Sequence, residues 1–323
     1  MIGTLLTKLI FNYFGLIKKY LYFWVLKNNS DMKKITILVV LCILSGYGLS
    51  REINPYKPDK KGPQSVPGYK LVWSDEFNIQ GKPDSTSWNY EKGFVRNHEN
   101  QWYQPENATC SGGVLILEGR REKFPNPNYV AGSNDWKKNR DSIRYTAASI
   151  NTARRHSWLY GRFVVRAKIP AVKGAWPAIW TLGNDRPWPS NGEVDQMEFY
   201  QIKDVPSILA NAAWGTDTRN KAKWKGSNRP LTHFTDKDKD WASKYHIWRM
   251  DWDPYFIRLY LDDELLNEID LSKTINPDGF NPFHQAEYIL LNLAIGGDNG
   301  GDPSQTVFPI QYVVDYVRIY QKK

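Results

Sequence analysis

The stretch "YGRFVVRAKIP", residues 160–170, decides the fold class. Arg162, Val164, Arg166 and Lys168 fall on one side of an extended chain, and Phe163, Val165, Ala167 and Ile169 on the other. A period of two marks a strand with one buried face. The polar side is expected to be open to a ligand, and the apolar side to pack on a second sheet.

Runs of the same type recur outward from it. They are "KLVWSDEF" from Lys70, "GVLILEGR" from Gly113, "AIWTLG" from Ala178 and "EVDQMEFY" from Glu193. Further on come "HIWRMDW" from His246, "FIRLYLDD" from Phe256, "EYILLNLAI" from Glu287 and "YVVDYVRIY" from Tyr312. Turn residues separate them, and no dozen residues carry a helical period. The 255 residues from Tyr69 onward read as one all-β domain, an antiparallel β-sandwich. Segments 121–142 and 216–244, rich in Asn, Lys, Gly and Asp, read as loops. Residues 51–67 are Pro- and Lys-rich and read as a linker before a domain spanning 68–323.

The amino terminus carries a separate message. "MKKITILVVLCILSGYGLS", Met32 to Ser50, has a basic start, an apolar run from Ile35 to Leu44 and small residues after it. That is the layout of a secretory signal peptide, too short to span a bilayer. Translation is expected to start at Met32, with residues 1–31 a misassigned upstream segment, and the product to be exported to a periplasm or beyond the cell. Residues 1–50 hold six Lys against one acid, so of the chain's formal +9 about +4 stays with the remainder. No Lys/Arg cluster of the kind that lines a nucleic-acid groove is present. Cys42 lies in the signal, which leaves Cys110 alone and excludes an intrachain disulfide or a Cys-based metal site. His98, His156, His233, His246 and His284 are scattered without metal-ligand spacing.

The chemistry concentrates in "NGEVDQMEFY", residues 191–200. Glu193 and Asp195 share a face of a strand, whereas Glu198, five positions from Glu193, points the other way in a flat one. One extra residue within 194–197, Gln196 or Met197, makes a β-bulge that returns Glu198 to the face of the other two. Trp176, Trp180 and Trp188 lie within about twenty residues of the acids. An indole stacks on the apolar face of a pyranose, and carboxyls work on the glycosidic bond. Glycoside hydrolysis needs one protonated and one ionised carboxyl, and crowding of like charges raises one pKa to supply the acid.

The pattern Glu-x-Asp-x-x-Glu, preceded by "WPAIW" and "WPSNGE", resembles glycoside hydrolase family 16 in its laminarinase-like branch. "LVWSDEFN", "NHENQWY", "YGRFVVRAKIP", "LNLAIGG" and "VVDYVRIY" resemble further segments of that family in the same order, from about Tyr69 to Tyr320. The resemblance implies a concanavalin-like jelly roll with a sugar-binding cleft on its concave sheet, performing retaining endo-hydrolysis of a β-1,3- or mixed β-1,3/1,4-glucan. Glu193 then matches the nucleophile, Glu198 the acid/base, and Asp195 the helper of the nucleophile. Trp176, Trp180 and Trp188 match residues lining the cleft. Asn97, Arg166 and Asn292 match positions on the glycone side, and Trp214 joins them as a substrate-binding residue. Asp315 is similar to an aspartate that holds a structural Ca²⁺, and no cofactor is implied for catalysis. A polysaccharide substrate and a monomer are expected. Val164 stands where the family often has a Glu, and Ala213 where laminarinases usually have a His on the leaving-group side. The alternatives are an agar- or porphyran-type galactan hydrolase, with Arg162, Arg166 and Arg186 facing sulfates, or a glucan-binding lectin without catalysis.

Overall fold

The computed structural model describes residues 54–323; the signal-peptide and start-site expectations lie outside the described residues. The first strands are β1 (Tyr69–Asp75), β2 (Asn89–Tyr90), β3 (Gln101–Tyr103), β4 (Ala108–Ser111) and β5 (Val114–Pro125). Next come β6 (Ser142–Ala147), β7 (Ser149–Asn151), β8 (Gly161–Lys168), β9 (Ala175–Gly183), β10 (Glu193–Ile202) and β11 (Val205–Gly215). The chain ends through β12 (Ala222–Pro230), β13 (His246–Trp252), β14 (Phe256–Leu261), β15 (Glu264–Asp270), β16 (Glu287–Ile295) and β17 (Ile310–Lys322).

Two sheets result. One runs β12-β11-β10-β9-β16-β7-β2, and the other β15-β14-β13-β8-β17-β5-β6-β3, with β1 added to β17 and β4 to β5. Pairing is antiparallel except between β3 and β6. Both sheets turn apolar side chains inward: Phe163, Val165, Trp248 and Val317 from one meet Ile179, Val194, Met197 and Leu291 from the other. This single core makes the molecule an antiparallel sandwich of jelly-roll type.

Three expectations are corrected here. The polar side of β8 is the outer face of the larger sheet, the sheet without the acids, so it is not the ligand face. Arg162 lies there in a two-bond pair with Asp251, at 2.6 and 2.8 Å. The stretch read as a linker is packed over that same face from Asn54 onward. Its Asn54 and Lys57 carbonyls accept from Arg166, and the Asp59 N–H donates to Asp315 at 2.8 Å. Finally, the 216–244 segment contains β12, an edge strand. It shows no period of two because none of its residues is buried on either face.

Candidate active site

The three acids sit on β10, flanked by β9 and β11. Asp195 pairs with Trp180 on β9, but Met197 pairs with the next residue along β9, Ile179, so Gln196 is the residue in excess. The β11 side shows the same slip: Asp195 opposes Asn211 and Glu198 opposes Leu209. Gln196 and Met197 are both buried, and Gln196 donates weakly to the Phe163 carbonyl across the core, at 3.4 Å. With two successive residues spent inward, Glu198 comes out on the face of Glu193 and Asp195. That face is the outer side of the seven-stranded sheet, where Ala178, Trp180 and Leu290 form a cluster apart from the main core.

Each glutamate is held by an indole. Trp188 donates to Glu193 Oε2 at 2.5 Å, and Trp176 donates to Glu198 Oε1 at 2.9 Å. Asn211, opposite Asp195, donates to Glu198 Oε2 at 3.1 Å. Asp195 is 2% exposed, and burial together with the charges of Glu198 and Glu193 pushes its pKa far up. A carboxyl so placed keeps its proton and donates it to Glu193. Burial raises Glu193 as well, but Trp188, the Asp195 proton and the Arg96 guanidinium oppose the rise. Glu198 is pushed up to about 7, by burial first and then by the charges of Glu193 and Glu99, against the Trp176 and Asn211 hydrogen bonds. Burial raises both glutamates, and only on Glu193 do two hydrogen bonds and a nearby guanidinium act together against the rise.

The remaining expected residues divide. Trp180 donates to Asn292 Oδ1 at 2.7 Å, and Asn292 donates onward to the Tyr103 hydroxyl at 3.0 Å, so both belong to the acid-bearing sheet. Asn97 is exposed on the turn before β3, with left-handed backbone (φ 53°), and donates to Glu99 at 3.3 Å. Arg166 is on the opposite sheet, fully buried, stacked on Tyr245 and paired with Asp315. It cannot reach a sugar beside Glu193, and Val164 next to it has no bearing on the glycone side. Trp214 alternates with Ala213 on β11 and turns into the main core. Asp315 faces the Arg166 guanidinium and the Asp59 N–H, a set of donors, so its carboxylate does not fit a Ca²⁺ ion.

Three further titratable side chains interact with the acids and were not singled out in the sequence. Arg96 lies over the Trp180 ring at 5.1 Å and is paired with Glu91, which also accepts from Ser149 at 2.6 Å. Glu99 is buried and takes a hydrogen bond from Gln101 at 2.6 Å. Glu287 is fully buried on β16, accepts from the Thr181 hydroxyl, and is pushed up to about 8 by burial. A buried acid at the head of an apolar run was the available signal for Glu287. Arg96 adjoins the quoted "NHENQWY" segment but carries no periodic signal of its own.

A β-sandwich with two glutamates and an aspartate on one open sheet face, each glutamate held by a tryptophan, is the layout of a glycoside hydrolase. The chain belongs to the glycosyl hydrolases family 16, whose model matches residues 97–318. A β-glucanase of Rhodothermus marinus is 35% identical over 279 residues, covering 79% of this chain and 86% of that protein. The solved laminarinase of Rhodothermus marinus aligns with a TM-score of 0.64 at 33% identity, over 80% of this chain and 100% of that one. A structure from work on endo-acting O-glycanases with which human gut microbiota initiate mucin breakdown aligns with a TM-score of 0.72 at 35% identity, over 81% and 94%.

Proposed function

We propose that the protein is an exported, monomeric endo-β-glucanase that cleaves β-1,3- or mixed β-1,3/1,4-glucan with retention of configuration. The observation that carries the reading is the bulge that places Glu193, Asp195 and Glu198 on one face, with Glu198 raised to about 7. The β-glucanase and laminarinase relatives support the choice of glucan.

In this mechanism Glu193, ionised, attacks the anomeric carbon of the sugar held over Trp180 and Asn292. Glu198 gives its proton to the leaving oxygen, so the glycosidic bond breaks as the Glu193–carbon bond forms. Asp195, protonated, steadies Glu193 before attack and helps it depart afterwards. Glu198, now ionised, takes a proton from water, whose oxygen displaces Glu193 and frees a product of the original configuration. Release of laminari-oligosaccharides from laminarin, with a first product that is β at its reducing end by proton NMR, is the expected result. An initially α product would overturn retention, and an inert enzyme on laminarin and lichenan the choice of glucan.

A second reading, cleavage of a mucin O-glycan, is favoured by the TM-score of 0.72 to the O-glycanase structure. Ala213, opposite Glu193, also leaves that side of the cleft without a bulky polar group. Product sizing on agarose, porphyran and mucin O-glycans alongside laminarin separates the two.

A further inference from the structure

We propose that Trp224 is the sugar-stacking platform of the leaving-group arm of the cleft, an assignment that rests on the roles given above to Glu193 and Glu198. The register argues it directly. On the edge strand β12, Trp224 opposes Ala213, which opposes Glu193, so the three lie in one row across the sheet and share its open face. With strands about 4.8 Å apart, the Trp224 backbone stands roughly 10 Å from that of Glu193, two strand spacings away. The ring is 51% exposed, and among the described residues it has no aromatic, cationic or hydrogen-bond partner. A large, unpartnered indole on an otherwise Lys-rich edge strand has nothing to gain from the fold.

The floor between the acids and this ring is open by construction. Gly226 opposes Asn211, and a Cβ there would meet Asn211 Oδ1 at 2.8 Å. Glycine at 226 therefore leaves Asn211 free to donate to Glu198, and leaves no side chain standing between β11 and the edge. Asn228 follows on the same face, opposite Leu209, with an amide for sugar hydroxyls. On the other flank of β10, Trp180, Asn292 and Arg96 already crowd the glycone side. An endo-acting enzyme holds its polymer on both sides of the cut bond. The arm that leaves Glu198 over Asn211 and Gly226 arrives at Trp224. There the C–H face of a pyranose meets the negative face of the indole.

The test compares two substrates in wild type, Trp224→Ala and Trp224→Phe. Laminarin needs sugars on both arms, whereas an aryl β-glycoside of a short laminari-oligosaccharide places only its aryl group on the leaving side. For Trp224→Ala, kcat/KM on laminarin is expected to fall about tenfold, the scale of one aromatic anchor. The aryl glycoside should stay within about twofold, and Trp224→Phe should recover most of the loss. Equal losses on both substrates would make Trp224 structural, and no loss on either would remove it from the cleft. A wild type inert on laminarin would instead refute the glucan assignment. The polymer that it does cleave then decides Trp224 by the same comparison of polymer with aryl glycoside.

Discussion

The indole N–H of Trp176 points at Glu198 Oε1 from 2.9 Å, on the carboxyl that the proposed mechanism uses as its acid. A donor to a carboxylate favours the ionised form, so Trp176 works against the burial and charge that push Glu198 up to about 7. The balance sets the alkaline limb of activity. In the proposed mechanism Glu198 loses its proton above about pH 7, so kcat should fall there. Trp176→Phe removes the opposing hydrogen bond, so the alkaline limb should move upward. A pH profile of kcat measures it; an unmoved or lowered limb contradicts the assignment of Glu198 as the acid.

The two glutamates should fail in different ways. Glu193→Gln removes the nucleophile and should abolish turnover of every substrate. Glu198→Gln removes proton donation, worth about 10²–10⁴-fold. Laminarin cleavage should collapse, but bond breaking in a dinitrophenyl glycoside, whose leaving group needs no proton, should survive as a burst. Stopped-flow release of the phenolate reads this out, with circular dichroism confirming the fold. A burst from Glu193→Gln and none from Glu198→Gln would exchange the two roles.

Much of this site was legible because its signals are local. The one-residue excess in "EVDQMEFY" forces a choice between a lost glutamate and a bulge, and the register shift at Gln196 is that bulge. The failures have two causes: alternation does not tell which sheet a strand joins, and in an apolar run such as β11 it does not tell which face turns outward. Arg166 and Trp214 were both read onto the cleft. Arg166 went wrong because β8 belongs to the larger sheet, and Trp214 because it is one step out of phase with Ala213, the residue that does face outward. Trp224 was hidden in a polar stretch whose strand character exists only through its pairing with β11.

The Arg166–Asp315 pair turns that correction into a measurement. Both side chains are at most 2% exposed, and the segment from Asn54 covers them. Breaking a buried pair by removing one partner costs about 3–5 kcal/mol, because a bare charge is left behind. Arg166→Ala and Asp315→Ala should therefore each lower the denaturant midpoint strongly. KM for laminarin in the molecules that remain folded should not change. A raised KM with undiminished stability would put Arg166 back in the sugar site.

Glu287 makes the last prediction, because its burial has a sign. Its folded pKa, about 8, lies above the ordinary carboxylate value, so at pH 5–8 the folded chain holds a proton that the unfolded chain has released. Stability rises with pH where the unfolded state binds more protons; here the folded state does, so stability falls as pH rises. The slope is at most about 1.4 kcal/mol per pH unit from this group, beginning near pH 4.5 and ending near 8. Asp195 and Glu198 add to the same trend. Glu287→Gln replaces the neutral acid with a neutral amide that still accepts from Thr181. It should cost little at pH 5, and its stability should decline less than that of wild type between pH 5 and 8. Urea unfolding at the two pH values measures both slopes. Parallel slopes would mean that Glu287 is ionised in the folded protein and that a cation or water held within the sheet compensates it.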